Sequence, residues 1–193
     1  MNRTAQAEAT EAADLDDLSP SERILHTAHD LFYRDGIRAT GIDRVIAESG
    51  VAKKTFYRYF ASKDHLIVAF LEYRHRNWMT WFTDALQRHG GGPAALVPAL
   101  AEWFESDVYR GCAFINSVVE VGGTHAHALD IARRHKRDMT DAIRKLLPAS
   151  RTAKADAQAL AMAVDGAIVA AQFEDSPAVA LKSLARIVRA MSA

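Results

Sequence analysis

Residues 50–64 read Gly-Val-Ala-Lys-Lys-Thr-Phe-Tyr-Arg-Tyr-Phe-Ala-Ser-Lys-Asp, and they carry the clearest structural signal in the chain. Between positions 51 and 63, four cationic side chains alternate with four aromatic ones, and no acidic residue interrupts them. A short segment with helical apolar spacing precedes this stretch, and Gly50 separates the two because a tight turn favours a residue without a side chain. Two short helices joined in this way, the second one basic, are typical of a helix-turn-helix whose second helix enters the DNA major groove.

The sequence upstream of this motif predicts one further helix. The run Ser19-Pro20-Ser21-Glu22 matches a helix start, with a Ser cap, a Pro at the first helical position and a Glu three residues after the cap. Apolar residues then recur at helical spacing until Gly36. We therefore predict a first helix over residues 21–35, a second that begins after Thr40 as its N-cap, and a third over residues 52–59.

Downstream of the motif, the sequence predicts helices only. Ser62 is placed to cap a long fourth helix that continues to about Arg88, and the run Gly90-Gly91-Gly92-Pro93 then makes the strongest break in the chain. Helical apolar patterns follow near residues 93–106, 110–121, 125–147, 153–173 and 177–192. The prediction is an all-α fold of about nine helices, with three in a small N-terminal unit and the fourth bridging to a larger C-terminal helical unit.

The predicted organisation has three parts. Residues 1–18 carry five acidic side chains against one arginine and show no apolar period, so we predict a disordered acidic tail. Residues 19–64 form the predicted helix-turn-helix domain. Residues 65–193 form the predicted C-terminal helical domain.

Composition narrows the class of protein. The 193 residues are 49% apolar and 25% charged, and the 24 Lys and Arg balance the 24 Asp and Glu, so net charge gives no indication about nucleic acid. There is no signal-peptide pattern, no apolar run long enough for a membrane span, and a single cysteine. We therefore expect a cytoplasmic protein with no membrane partner and no intramolecular disulfide. No nucleophile-elbow, phosphate-loop or dinucleotide motif occurs, so we expect neither enzymatic activity nor a cofactor.

Side-chain chemistry assigns roles within the motif. Residues on the first turn of a recognition helix reach base edges, whereas phenol, hydroxyl and ammonium groups around it suit phosphate oxygens. The alternative is a solvated basic helix, with Phe56 and Phe60 in the core. The candidate DNA contacts are Lys53, Lys54 and Thr55 for bases and Thr40, Tyr57, Tyr59 and Lys63 for phosphates, with Arg58 open between phosphate contact and surface charge.

The same stretch closely resembles the TetR/AcrR (tetracycline-repressor-like) family pattern Gly-Val-Ser-x-x-Thr-Leu-Tyr-x-His-Phe-x-Ser-Lys-Glu. With the sequence around it, the resemblance covers about residues 21–70. It implies a double-stranded DNA operator as partner and the same DNA contacts at the positions given above. Three positions depart from the pattern: Ala52 replaces a capping Ser, Lys54 a small residue and Tyr59 a His. These departures predict a changed operator sequence.

The resemblance also implies that the C-terminal domain forms a homodimer through its last two helices and often encloses a small-molecule pocket. Residues 153–173 are rich in alanine, and small side chains allow the close helix approach of a four-helix bundle across a two-fold axis. An ordinary core within one chain is the alternative. The candidate dimer contacts are Ala163, Gly166, Ala167, Ala170, Leu184, Ile187 and Val188.

Large aromatic residues of the middle helices are the candidates for a ligand pocket, with two polar side chains as anchors. Packing within the core is the alternative for each ring, because an aromatic stripe at helical spacing packs more often than it binds. The candidates are Trp78, Trp81, Phe82, Trp103, Phe104, Phe114 and Phe173, with Asn116 and Glu120 as anchors.

Two weaker signals lie in the same region. Cys112 is either a redox-sensitive thiol stabilised by Arg110 or a buried inert one. His125, His127 and His135 lack the spacing of metal ligands on a helix, so we predict no metal site.

These observations together predict a ligand-responsive repressor that binds a palindromic operator as a homodimer and is released by an unknown small molecule. Two alternatives stay open. One is a constitutive or architectural DNA-binding regulator without an effector. The other is a small-molecule-binding module with a vestigial DNA reader, against which the full set of Tyr57, Tyr59 and Lys63 argues.

Overall fold

The computed structural model describes residues 18–191, so the predicted acidic tail lies, apart from Leu18, outside the described residues. Within this range the chain forms nine α-helices, one short 3-10 turn at Pro93–Ala95 and no strand, which confirms the all-α prediction. The helices are α1 (Pro20–Asp35), α2 (Ile42–Ser49), α3 (Lys53–Tyr59), α4 (Lys63–Arg88), α5 (Leu96–Phe104), α6 (Ala113–Val121), α7 (Ala126–Arg144), α8 (Ala153–Ala170) and α9 (Ala178–Met191).

Two of the predicted helix starts have the expected caps. At the start of α1, the Ser19 hydroxyl accepts a hydrogen bond from the Glu22 amide at 3.4 Å, and the Glu22 carboxylate accepts one from the Ser19 amide at 2.9 Å. At the start of α4, the Ser62 hydroxyl accepts from the His65 amide at 3.3 Å. These bonds satisfy amides that a helix N-terminus leaves without partners, and so they fix where each helix begins.

The predicted capping role of Thr40 is wrong. The N-cap of α2 is Gly41, and no side chain caps that helix. The Thr40 side chain is instead fully buried, and its hydroxyl donates to the Gly36 carbonyl at 2.8 Å. Thr40 therefore ties the α1–α2 loop back onto the end of α1.

The helices pack as two connected groups. Helices α2 and α3 pack on α1, and α1 packs on α4. In the second group α7 packs against both α4 and α8, and α9 packs against α8 and α5. Because α4 belongs to both groups, it links the predicted N-terminal and C-terminal units through one continuous helix.

The predicted pocket rings pack mostly against one another. Trp78 stacks on Phe82 with ring centroids 4.5 Å apart and meets the edge of Trp103 at 5.6 Å. Phe114 stacks on His135 at 3.7 Å, and burial lowers the pKa of His135 well below its usual value, so this imidazole is neutral at pH 7. Trp81 and Phe104 are buried as well. The alternative of core packing therefore describes the arrangement of these side chains.

Phe173 does not belong with those rings. It lies in the turn after α8, and 83% of its surface is exposed. Its exposed ring is not packed in the chain, and its part in a ligand pocket stays a prediction.

The predicted dimer contacts fall into two groups. Leu184, Val188 and Ala167 are buried within the single chain, which agrees with the alternative of an ordinary core within one chain. The chain pairs α8 with α9, and that pairing covers the face on which they lie. Gly166 and Ile187 are exposed, and Ala163 and Ala170 are half-buried, so these four remain at the surface.

Cys112 is buried, and its nearest cation is not the predicted one. The Lys136 ammonium lies 3.5 Å from the Cys112 sulfur and also donates to Asp165 at 2.5 Å. The Arg110 guanidinium instead donates to the carbonyls of Asp107 and Tyr109. The thiol is thus enclosed in a polar contact between α6, α7 and α8.

No helix within residues 18–191 is both long and apolar enough to cross a bilayer. Over the same part of the chain, no group of three or more His, Cys, Asp or Glu side chains is arranged to hold a metal ion.

The turn between α2 and α3 gives the first testable prediction. Gly50 has φ +66°, and a Cβ there would meet nothing within 4 Å. Replacement by alanine therefore adds backbone strain without a clash, and Gly50→Ala should lower the free energy of unfolding by about 1–2 kcal/mol.

Gly92 is the matched control, because its surroundings are equally open and its φ of −112° suits any residue. Gly92→Ala should be neutral or slightly stabilising. Urea denaturation at one fixed protein concentration measures both variants. Equal effects of the two substitutions would show that the left-handed turn is not a constraint on this fold.

Candidate nucleic-acid interface

The turn and the buried ring of Phe56 set the orientation of α3. Gly50 is the C-cap of α2 and has the left-handed conformation. Helix α3 begins at Lys53, and its N-cap residue, Ala52, forms no side-chain cap. Phe56 is fully buried and Val51 nearly so. Since one face of α3 packs on α1 and α2, the opposite face is turned to solvent.

That outer face carries most of the predicted DNA contacts. Tyr57 and Tyr59 are each 44% exposed, which is high for an aromatic side chain in a folded domain. Thr55 is half-buried at the edge of this face. The exposed cations on the same short helix are Lys53, Lys54 and Arg58. The structure thus brings six of the eight predicted side chains onto one short helix, which we call the reading surface (residues 53–59).

Two cationic side chains of the reading surface already have partners within the chain. The Lys53 ammonium lies 3.1 Å from the Asp43 carboxylate at the start of α2, and this hydrogen bond raises the pKa of Lys53. Both side chains are largely exposed, so solvent screens the pair and a phosphate can replace the carboxylate. The Arg58 guanidinium lies 4.9 Å from the centre of the Tyr59 ring and holds that ring from one side.

Thr40 and Lys63 are not arranged as the predicted phosphate contacts. The Thr40 side chain is inaccessible to DNA because it is fully buried. The Lys63 ammonium donates to the Ile37 carbonyl at 2.5 Å and lies over the Phe32 ring, and burial lowers its pKa. Both side chains therefore fasten the α1–α2 loop, which in turn supports α2 under the reading surface.

Two polar contacts connect this N-terminal group to the ends of α6. Before α6, the Tyr33 hydroxyl donates to the Gly111 carbonyl at 2.9 Å and accepts from the Arg110 amide at 3.0 Å. At the end of α6, the Glu120 carboxylate accepts from the Arg38 amide at 2.8 Å. We call these two contacts the α6 clamps. They hold the end of α1 and the α1–α2 loop against the C-terminal group.

Sequence reasoning missed this role for Tyr33, Arg38 and Glu120, because the clamps join positions 77 to 82 residues apart. Glu120 was predicted as a ligand anchor, as was Asn116, whose amide donates to the Arg110 carbonyl at 3.1 Å. The structure places both side chains at an open cleft of about 490 Å³ between the end of α1 and α6. It does not bring them to the packed rings of α4 and α5.

Both the sequence and the fold of the chain are similar to those of known proteins. Residues 24–70 match the family described as bacterial regulatory proteins, tetR family. SCO4454, a TetR-family transcriptional regulator from Streptomyces coelicolor, is 31% identical, with a TM-score of 0.77 over 89% of this chain and 93% of that one. The chain belongs to the TetR family of transcriptional regulators. Regulators of this family are non-enzymatic DNA-binding proteins, in agreement with the expectation from sequence motifs.

Other relatives are more distant or shorter in overlap. NemR from E. coli, in its reduced form, shares the fold with a TM-score of 0.78 at 21% identity. An uncharacterized HTH-type transcriptional regulator of Lactococcus lactis subsp. lactis is 28% identical over 105 residues, which is 52% of this chain and 54% of that protein. The chain spans about half or less of the length of the curated relatives it matches.

The Lys53–Asp43 pair gives a prediction about DNA affinity. Asp43→Asn frees the ammonium and removes a negative charge beside the reading surface. It should tighten binding to duplex DNA by about 2- to 5-fold and steepen the slope of log affinity against log salt by about 0.9. Fluorescence anisotropy with a labelled duplex over a salt series measures both quantities.

Asp130→Asn is the matched control, since Asp130 also forms an exposed ion pair, with Arg133 at 3.3 Å, but lies on α7. Asp130→Asn should change neither the DNA affinity nor its salt dependence. Weaker DNA binding by Asp43→Asn would mean that the carboxylate positions Lys53 instead of competing with DNA.

Proposed function

We propose that this chain is a homodimeric transcriptional repressor that binds a palindromic operator and is released by a small molecule. The observation that carries the proposal is the reading surface, which presents Lys53, Lys54, Tyr57 and Tyr59 to solvent while Phe56 anchors the same helix in the core. Side chains at the start of such a helix reach base edges, and the tyrosine hydroxyls suit phosphate oxygens. With an operator as its target, the chain would act in the cytoplasm.

A dimer is required because one short helix reads too few bases for an operator. Two recognition helices read consecutive half-sites when they lie about 34–36 Å apart or at a multiple of that distance. The proposed two-fold axis passes beside α8 and α9.

The surface of α8 and α9 supports this dimer. Met162 is 76% exposed, and Gly166, four residues later on the same face of α8, is exposed as well. Phe173, in the turn after α8, is 83% exposed. The opposite face of α8 is also apolar and is buried in the chain. An exposed apolar patch marks a surface that another chain can cover, and a second copy would cover this one. Val179 and Ile187 extend the apolar surface onto α9.

A small-molecule response needs a connection between the C-terminal domain and the reading surface. The α6 clamps supply one, because any shift of α6 changes the support of α1 and of the α1–α2 loop. A ligand that favours the shifted arrangement would move the two reading surfaces out of register with the half-sites.

The proposed dimer surface gives a prediction that also tests operator recognition. Met162→Glu puts a carboxylate on a face that is open in one chain, so the fold should persist. In a dimer seam the same charge is desolvated at a cost of several kcal/mol, on the order of the stability of the interface. Sedimentation should show a dimer for the unchanged chain and a species near 21.2 kDa for the variant. Selection from random duplexes should yield a palindrome that the variant no longer binds tightly.

Two further variants sharpen this test. A Cβ at Gly166 would meet nothing within 4 Å in the single chain, so Gly166→Leu should fold normally, and a loss of dimer would come from the partner. Lys154→Glu places a carboxylate on α8 outside the proposed seam, with a charge change of two instead of one, and it should remain dimeric. A Met162→Glu protein that stays dimeric and binds the palindrome normally would refute the α8–α9 seam.

A further inference from the structure

The cleft between the end of α1 and α6 has the dimensions of a ligand site. Its volume of about 490 Å³ lies within the range of small-molecule pockets. It is bounded by Phe32 and Tyr33 from α1, by Phe70 from α4 and by Ser117 from α6, with Arg110 at its rim. It is therefore bordered on one side by the DNA-binding unit and on the other by the C-terminal domain.

Ser117 marks a polar position at the base of this cleft. Its side chain is only 4% exposed, and its hydroxyl has no hydrogen-bond partner within the described part of the chain. A serine hydroxyl both donates and accepts hydrogen bonds, so it can pair with a polar group that enters the cleft. A ligand with a polar group at this depth would satisfy it.

The walls near Ser117 are aromatic and rigid. The Phe32 and Phe70 rings meet edge to face at 5.5 Å, and both are buried. The Tyr33 ring is held in place by the two hydrogen bonds of its hydroxyl. Fixed rings of this kind favour a flat apolar body, because aromatic pairs gain from stacked and edge-on contacts.

The rim leaves one cation without an acidic partner. Asp35 is held by Arg34 at 2.9 Å and by Arg44 at 2.8 Å, and Glu120 accepts from the Arg38 amide. Arg110, in contrast, donates only to the neutral carbonyls of Asp107 and Tyr109, and within residues 18–191 no carboxylate pairs with it. A guanidinium in this position favours a carboxylate, to which it donates in a charge-assisted geometry.

We propose that this cleft binds a small aromatic carboxylate, with the ring against Phe32, Tyr33 and Phe70, a polar atom on Ser117 and the carboxylate on Arg110. The inference rests on the proposed ligand response, for which it names the site and the class of effector. A molecule bound there touches both α1 and α6 and lies between the two α6 clamps. Its binding would therefore alter the support of the reading surface directly, without passing through the packed rings of α4 and α5.

Isothermal titration of the full chain with 2-naphthoate tests the site without DNA. We expect one molecule bound per chain. Arg110→Gln keeps the backbone amide that Tyr33 uses and should weaken binding about tenfold. Ser117→Ala removes an unpartnered hydroxyl, so it should weaken binding several-fold without lowering the melting temperature. Ser117→Leu fills the base of the cleft and should abolish binding, and Arg144→Gln, an exposed arginine on α7, is the control that should bind normally.

Three results would overturn the proposed site. The first is that the chain shows no heat of binding at millimolar 2-naphthoate. The second is that the neutral 2-naphthamide binds as tightly as the carboxylate, and the third is that neither Arg110→Gln nor Ser117→Ala changes the affinity. The last result would place the ligand elsewhere, for example beside the buried indole N–H groups of Trp78 and Trp103, which have no acceptor among residues 18–191.

An anisotropy titration with the selected operator separates this inference from the proposed function. If 2-naphthoate releases the operator from the unchanged chain but not from Ser117→Leu, the result supports both the ligand site and the proposed function. Binding with the expected variant pattern but without operator release supports the site and refutes its role as an effector site. Release of the operator by other compounds while 2-naphthoate does not bind refutes the site and leaves the proposed function standing.

Discussion

The hydrogen bond from the Arg38 amide to the Glu120 carboxylate, 2.8 Å long, connects the part of the chain that would meet DNA to the part that would sense a ligand. Gly36 makes this bond possible, because a Cβ at that position would lie 3.0 Å from the Glu120 carboxylate in addition to its unfavourable φ of +91°. The bond acts together with the Tyr33 hydroxyl at the other end of α6. With α4 continuous through both groups, these contacts fix the angle at which the reading surface leaves the C-terminal domain.

The interior of the C-terminal domain is built for rigidity. Trp78, Trp81, Phe82 and Trp103 pack against one another in stacked, edge-to-face and tilted pairs, and His135 is held neutral against Phe114 by burial. Close-packed interiors transmit a displacement instead of absorbing it. A displacement of one end of α6 would therefore move the helices packed against it. Coupling between a ligand site and the reading surface requires such a concerted movement.

Local signals predicted much of this structure. The Ser19 cap with Glu22, the Ser62 cap and the turn at Gly50 depend on neighbouring residues, and each is found where the sequence places it. The burial of Thr40 and the inward ammonium of Lys63 depend on how a loop folds back, which no short pattern specifies. Apolar periodicity likewise showed that α8 and α9 have apolar faces, but it could not tell a face covered by the same chain, as at Leu184 and Val188, from one that needs a partner. The roles of Tyr33 and Glu120 were out of reach for the same reason, since their partners lie far away in the sequence.

The most direct test of this account compares specific and non-specific DNA binding by the Tyr33→Phe, Glu120→Ala double variant. Both substitutions leave the reading surface untouched and remove the α6 clamps. Anisotropy titrations should show operator affinity reduced by about tenfold or more, because two half-sites require a fixed geometry, while affinity for a random duplex is unchanged. Unchanged operator affinity, or an equal loss on both duplexes, would contradict the claim that the α6 clamps set the position of the reading surface.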